Sequence, residues 1–385
     1  MGRRVGIVGV GQTHHKSKRI DVNGVELINE AVMRALDDAE LTREEIDAIV
    51  IGNMDHFEGI NYVDTWSVDG SGAYMKPIMK LTTGGTTGST VGINAYYHVA
   101  SGLFDVVMAI GWEKNSESDT SAAIATCANP WLERDFFAGA IGPLATAATM
   151  YMKRYGAVEE DAAILAAREH NNALNNPYAH LRMKTTVEDV MKSPMLSYPI
   201  KLLDMCPRSD GACAVIFASE EKARKIADRP AWVLTTVSRH DYTHFGDLVM
   251  WERMATLESA SKEAYKKLGI KDPLKEIDVM ELYTPCSWAG LSWMESLGVC
   301  GPGESIKLNR EGVYDMDGEL PVNPSGGVIC TNPIGATGLI RIAEAALQVM
   351  GKADKRQVPN VKTALATGFG GCSWTDLVIL GESPR

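Results

Sequence analysis

Two parts of this sequence repeat one succession of elements, and that repeat restricts the fold more than any single motif does. An amphipathic segment over residues 25–39, with Leu27, Ile28, Ala31, Val32 and Ala35 on one face, precedes Leu41-Thr-Arg-Glu-Glu-Ile-Asp-Ala-Ile-Val-Ile51. A second amphipathic segment, residues 257–268, precedes Lys271-Asp-Pro-Leu-Lys-Glu-Ile-Asp-Val-Met-Glu-Leu282. Each combines a helix with Glu-Ile-Asp and an apolar run that reads as a buried strand. Later, Thr83-Gly-Gly-Thr-Thr-Gly88 leads into one helix, and Thr331-Asn-Pro-Ile-Gly-Ala-Thr-Gly338 leads into another over residues 339–350. Apolar strands close both copies, residues 104–110 before Gly111 and residues 361–367 before Gly368-Phe-Gly-Gly371. Two ordered copies of helix, strand, glycine turn, helix and strand predict a duplicated α/β body.

Residues 115–205 break the pattern. They carry few strand signals and the polar stretch Glu169-His-Asn-Asn-Ala-Leu-Asn-Asn-Pro-Tyr178, and they read as an inserted, mostly helical excursion that covers a pocket. Ser209-Asp-Gly-Ala-Cys-Ala-Val-Ile-Phe217 returns to a buried strand. The expected division is an N-terminal half over residues 1–218, holding the insertion, and a C-terminal half over residues 219–385. Gly6-Ile-Val-Gly-Val-Gly11 has glycines of the kind a dinucleotide loop uses. However, Gln-Thr-His follows, G-x-G-x-x-G is not met, and no nucleotide site is expected.

A net charge of −11 without any Lys/Arg cluster argues against nucleic-acid binding. Seven cysteines, an odd number with no CxxC spacing, argue against a disulfide framework and against a zinc site in this chain. No run of 18 apolar residues occurs and Met-Gly-Arg-Arg-Val-Gly-Ile-Val-Gly has no long apolar core, so a cytoplasmic protein without a membrane segment is expected.

The stretch Glu281-Leu-Tyr-Thr-Pro-Cys-Ser-Trp-Ala-Gly290 concentrates chemistry. A strand over residues 277–282 ends at Tyr283. Thr284 reads as an N-cap, Pro285 as the first helical residue, and Leu291, Met294 and Leu297 recur at helical spacing before Gly298. That puts Cys286 in the first turn of a helix, where unpaired N–H groups and the helix dipole favour a thiolate. The competing reading is a small buried residue, the usual fate of a cysteine.

In order, Ser209-Asp-Gly-Ala, Asn323-Pro-Ser-Gly-Gly327, Asn332-Pro-Ile-Gly-Ala-Thr-Gly338 and Gly368-Phe-Gly-Gly371 resemble the thiolase superfamily over the whole chain, most of all its sterol-carrier-protein-like and archaeal branch. The resemblance implies a thiolase fold, a duplicated five-layer αβαβα body, with a tight homodimer and a coenzyme A thioester as substrate. It also exposes departures. Thiolases place a nucleophilic cysteine where this chain has Gly85, a histidine where it has Asn332, a second cysteine where it has Gly368, and, in this branch, a histidine where it has Tyr283. Two subgroups of the branch lack the usual set and pair with a small zinc-containing OB-fold subunit of the DUF35 type, giving a heterotetramer. One is the catalytic subunit of (S)-2-benzoylsuccinyl-CoA thiolase, from anaerobic toluene breakdown. The other is a retro-aldolase that shortens steroid side chains.

Against that background the first expectation is thiolysis of a β-ketoacyl-CoA with Cys286 as nucleophile, or with free coenzyme A attacking directly. Backbone N–H groups around Gly85-Thr86 and Gly370-Gly371 are candidate oxyanion donors, Asn332 is a candidate catalytic residue donating through its side-chain amide, and Asn323 is a candidate substrate contact. His56 is the candidate base. The second expectation is retro-aldol cleavage of a β-hydroxyacyl-CoA with the Tyr283 phenol as acid–base group. The third is a non-catalytic scaffold that binds acyl-CoA or a partner. Trp251, Trp288, Trp293 and Trp374 either line an aromatic acyl pocket or belong to the core. His240, His244, Arg182 and Lys184 read as solvated or as substrate contacts, and Cys330 and Cys372 as fillers. Zinc is expected only in the partner.

Overall fold

β1 (Val5–Gln12) is buried along its whole length, because apolar residues and glycines occupy both of its faces and no polar edge is left for water. The computed structural model to which it belongs describes residues 2–59, 61–135, 139–241, 252–371 and 374–384; His244, Trp251 and Cys372 lie outside the described residues.

The first copy of the repeat contains α1 (Gly24–Ala39), β2 (Ala48–Gly52), β3 (Ile78–Leu81), α2 (Thr87–Ala100) and β4 (Val106–Lys114). Asn23 caps α1 through a box with Glu26, accepting from the Glu26 N–H at 3.0 Å. The excursion follows as α3 (Thr120–Ala125), α4 (Ile141–Tyr155), α5 (Glu159–Ala173), α6 (Val187–Lys192) and a small hairpin, β5 (Met195–Ser197) and β6 (Ile200–Lys201). β7 (Asp210–Ser219) returns to the sheet. The second copy runs β8 (Ala231–His240), α7 (Ala255–Leu268), β9 (Val279–Glu281), α8 (Ser287–Ser296), α9 (Ile334–Met350), β10 (Thr363–Phe369) and β11 (Trp374–Gly381).

Nine strands are hydrogen-bonded in the order β3-β2-β4-β7-β1-β8-β11-β10-β9. Read outward from the β1–β8 junction, each side presents a lone first strand, an antiparallel neighbour and then parallel strands. An isolated bridge from Met280 to Val322 stands where β3 stands on the other side. The junction is thin: only Gly6–Trp232 and Ile7–Ala231 pair across it. α1 covers one side of β1, β7 and β4. α2 and α9 pack against each other between the two half-sheets, and α7, backed by α8, covers β8 and β11. This is the duplicated five-layer αβαβα body, with α2 and α9 as its central layer. α9 is buried at every position because both half-sheets press on it.

The Gly6–Gly11 glycines serve this packing and not a nucleotide. A Cβ at Gly11 would sit 2.2 Å from the Ala31 carbonyl oxygen, so glycine lets α1 lie directly on the strand.

Candidate active site

β9 is clamped before it delivers Tyr283. Glu281 accepts from the Ser325 N–H at 3.0 Å and the Ser325 hydroxyl at 2.7 Å, and pairs with the buried guanidinium of Arg341. Asn323, in the left-handed region at φ 51°, accepts from the Leu282 N–H at 2.6 Å. Its Nδ2 donates to Glu169 Oε1 at 2.8 Å and to the Thr284 hydroxyl at 3.3 Å. Both ends of this amide are therefore committed, and Asn323 is fully buried. Its expected role as a substrate contact is corrected to a positioning one: it ties the strand exit to α5 in the excursion. Asn323→Ala leaves the Leu282 N–H and the buried Glu169 carboxyl without partners. It is expected to cost about 3 kcal/mol of stability; a urea unfolding midpoint equivalent to less than about 1 kcal/mol would count against this account.

The Tyr283 N–H donates to the Thr367 hydroxyl at 2.9 Å, which aims the ring into the core of the site. There it meets Phe369, ring centroids 6.0 Å apart, and Phe369 meets Trp293 at 4.9 Å. The phenol hydroxyl lies 3.3 Å from Asn332 Oδ1. Burial pushes the phenol well above its ordinary value, so it is a neutral O–H.

Asn332 is gripped on every side. Its N–H donates to the Ser209 hydroxyl at 3.1 Å, and its carbonyl accepts from Asn115 Nδ2 at 3.0 Å. Oδ1 accepts from the Thr337 hydroxyl at 2.7 Å as well as facing Tyr283, and Nδ2 donates to Cys206 Sγ at 3.2 Å. Three residues on, the Gly335 N–H donates to Glu113 Oε2 at 2.9 Å, which also receives the Met54 N–H at 3.0 Å. Burial and the neighbouring Glu58 carboxyl hold Glu113 well above the usual carboxylate range. The tip of β4 thus supports the turn that carries Asn332.

On the far side of Phe369 the two glycine turns touch. A Cβ on Gly85 would lie 2.4 Å from the Phe369 carbonyl oxygen, and a Cβ on Gly370 would lie 3.1 Å from Thr86 Cγ2. Thr86 is fully buried, and its hydroxyl donates to the Thr83 carbonyl at 2.8 Å. The Gly370 N–H is already spent on the Trp374 carbonyl at 2.9 Å, so its expected part as an oxyanion donor is corrected. Gly371, at φ 75°, is exposed beside it.

Cys286 departs from expectation in two respects. It is the N-cap of α8, extended at φ −146° and ψ 159°, and not part of the first turn. Thr284 and Pro285 do not open the helix, because the segment is paired with the excursion: Cys286 bridges Met205, and the Cys206 N–H donates to the Pro285 carbonyl at 3.0 Å. Burial pushes the Cys286 thiol up to about 12, the reverse of the lowered value expected, because desolvation outweighs the helix-end N–H groups.

His56 is exposed, and its Nδ1 lies 3.4 Å from the Thr126 hydroxyl. Trp288 is buried, whereas the Trp374 ring lies tilted against His240, centroids 3.8 Å apart. Arg182 donates to the Leu174 carbonyl at 3.2 Å, and Lys184 is exposed. Cys330 is buried. Sequence reasoning missed Cys206, Thr337 and Glu113 as site residues. Glu113 had a visible signal, a lone carboxylate at the end of an apolar strand. Cys206 had none, because its partner Asn332 is 126 residues away. Among the described residues no group of three His, Cys, Asp or Glu side chains is arranged to hold a metal ion, and no helix is long and apolar enough to cross a membrane.

Comparison with known proteins gives a consistent result. Residues 5–221 match the family model described as thiolase, N-terminal domain, and residues 238–382 match thiolase C-terminal domain-like. An acetyl-CoA acetyltransferase of Methanothermobacter thermautotrophicus is 32% identical over 380 residues, covering 98% of each chain. The benzoylsuccinyl-CoA thiolase subunit BbsB of Thauera aromatica is 30% identical over 376 residues, covering 96% of each. Among solved structures, an Ltp2-ChsH2(DUF35) aldolase superposes with a TM-score of 0.85 at 26% identity over 98% of each chain. Human mitochondrial 3-ketoacyl-CoA thiolase superposes at 0.75 with 18% identity over 99% of each, a likeness of fold.

Proposed function

We propose, since this chain belongs to the thiolase family, that it is a coenzyme A-dependent acyltransferase that cleaves a β-ketoacyl-CoA bearing an aromatic acyl group, of the 2-benzoylsuccinyl-CoA kind. The observation that carries this reading is the Tyr283–Asn332 contact, set beside a glycine turn that has no room for a side chain at Gly85. Cleavage of the bond between C2 and C3 needs a sulfur to attack the ketone, donors for the alkoxide, and a proton for the departing enolate. Asn332 supplies a fixed amide and Tyr283 a neutral phenol. Backbone N–H groups at Gly85, Thr86 and Gly371 are the proposed oxyanion donors, with His56 outside this core. The aromatic group is supported by the Tyr283, Phe369 and Trp293 wall and by likeness to the benzoylsuccinyl-CoA thiolase subunit.

The assembly that goes with this reading is a cytoplasmic homodimer carrying a small zinc-containing OB-fold partner of the DUF35 type, together a heterotetramer. Its support is that one similar solved structure is a DUF35 aldolase and one similar protein is a named subunit.

A second reading, retro-aldol cleavage of a β-hydroxyacyl-CoA, is favoured by the neutral phenol of Tyr283, which is suited to proton exchange with a substrate hydroxyl. One experiment separates the two. The chain, alone and with a zinc-containing OB-fold partner, is incubated with an aromatic β-ketoacyl-CoA and with its β-hydroxy counterpart, each with and without free coenzyme A. Cleavage of the keto substrate only when coenzyme A is present is the expected result. Cleavage of the hydroxy substrate without coenzyme A would replace thiolysis with the aldolase reading, and inertness toward both would remove both readings.

A further inference from the structure

We propose that Cys206, and not Cys286, is the sulfur that accepts the acyl group, where the β6–β7 connection meets the Asn332 turn. The proposal rests on the thiolysis reading and names the nucleophile that reading requires. Three observations converge on this atom. First, Asn332 Nδ2 donates to Cys206 Sγ at 3.2 Å, while its Oδ1 lies 2.7 Å from the Thr337 hydroxyl and 3.3 Å from the Tyr283 hydroxyl. A donor fixed on a sulfur stabilises the charge that develops on it. Second, Cys206 is half-buried, whereas Cys213, Cys286 and Cys330 are buried. Third, the chain on either side of Cys206 is stitched to the segment after Tyr283 by the Cys206 N–H to Pro285 bond and the Met205–Cys286 bridge, so the thiol and the phenol are held in one frame.

Among the described thiols, Cys330 has a histidine beside it, 3.5 Å from His170 Nδ1, but complete burial leaves it no approach for an acyl carbon. Cys127 and Cys300 lie elsewhere; Cys300 contacts the Tyr314 hydroxyl at 3.8 Å.

The chemistry balances without an outside acid or base. Burial pushes the Cys206 thiol up to about 12, so it is an S–H at rest. Its sulfur bonds to C3 of the ketone while its proton passes to the Tyr283 hydroxyl and the Tyr283 proton passes to the C3 oxygen, giving a neutral hemithioketal. The C2–C3 bond then breaks, the C3 oxygen returns its proton to Tyr283 as it re-forms the carbonyl, and Tyr283 passes a proton to the electron pair left on C2. The products are an acyl thioester on Cys206 and a shortened acyl-CoA. Free coenzyme A then attacks that thioester, its sulfur replaces Cys206 on the acyl carbon, and its proton returns to the Cys206 sulfur.

The test uses the intact chain, with its partner subunit if cleavage requires one. An aromatic β-ketoacyl-CoA is added without free coenzyme A, and the protein is analysed by intact mass and peptide mapping. One acyl group on the Cys206 peptide, with release of one equivalent of shortened acyl-CoA, is the expected outcome. Cys206→Ser and Cys206→Ala should lose the adduct and fall about 100-fold in kcat with coenzyme A present. Saturating substrate should also protect Cys206 of the parent protein from iodoacetamide, a readout that does not depend on the variants folding. An adduct on another residue, or Cys206→Ala turning over at the parent rate, overturns the proposal and leaves thiolysis standing. Failure of the parent protein to cleave the keto substrate with coenzyme A present overturns the thiolysis reading itself, and the proposal with it.

Discussion

Tyr283→Phe is expected to lower kcat/KM about 10³-fold while leaving the fold intact, and both halves of that statement follow from where the hydroxyl sits. The phenol touches Asn332 Oδ1 at 3.3 Å, a long contact that contributes little to stability. Removing it strands no partner, because Asn332 Oδ1 keeps the Thr337 hydroxyl at 2.7 Å. The ring packing against Phe369 is unchanged in phenylalanine. Melting temperature should therefore shift by no more than about 2 °C for a chain of this size. The kinetic cost is different in kind. Thiolysis and retro-aldol cleavage both pass a proton at the substrate's C2 or C3 oxygen, and Tyr283 is the neutral O–H held against the Asn332 amide. A positioned acid–base group contributes about 10²–10⁴-fold. Because its pKa is raised, Tyr283 does not ionise at working pH, and the residual activity of Tyr283→Phe should keep the parent's pH profile. A variant within about threefold of the parent would show that the proton travels by another route.

What was legible in the sequence and what was not divide along the range of the interactions involved. The repeated Glu-Ile-Asp strands and glycine turns are local signals, and they mark α1, β2, α7, β9 and the start of α2; α9 begins at Ile334, inside the stretch read as a turn and five residues before the expected 339. The order of the motifs along the chain also points to the family. The errors fall where a tertiary contact overrides a local preference. Thr284-Pro285 has the chemistry of a helix start, yet the Thr284 hydroxyl is taken by Asn323, and pairing with Met205 and Cys206 keeps Cys286 extended until Ser287. Cys286 is held as a thiol for a related reason. A helix end stabilises a thiolate at a wet surface, whereas Cys286 is 1% exposed. Asn323 is expected as a substrate contact, but its amide is taken up by the Leu282 N–H and Glu169, partners 41 and 154 residues away in sequence. Cys206 could not be read at all, since nothing within a few residues of it announces that Asn332 will be its neighbour.

Gly85 is where the departure from ordinary thiolases becomes a physical statement, and Gly85→Cys is the substitution that tests it. By sequence it restores the nucleophile that relatives are expected to carry at this turn. By geometry it does the opposite. The new Cβ would lie 2.4 Å from the Phe369 carbonyl oxygen and 3.5 Å from the Gly370 Cα, both backbone atoms that cannot rotate away as a side chain could. Relief requires the β10 exit to move. That exit carries Phe369, which packs on Tyr283 and Trp293, and it is pinned by the Gly370 N–H bond to Trp374. A clash of this size against backbone is expected to cost about 3 kcal/mol or more. Displacing the Tyr283 ring by even about 1 Å is expected to lower kcat/KM roughly 10²-fold beyond that. Gly85→Ala should show nearly the same loss, because the obstruction is at Cβ and not at sulfur. That equality is the discriminating result. If Gly85→Cys were instead more active than Gly85→Ala, and became acylated at residue 85, the turn would have room for a side chain. The absence of the usual cysteine would then be incidental, and the case for a nucleophile elsewhere in the site would lose its physical basis.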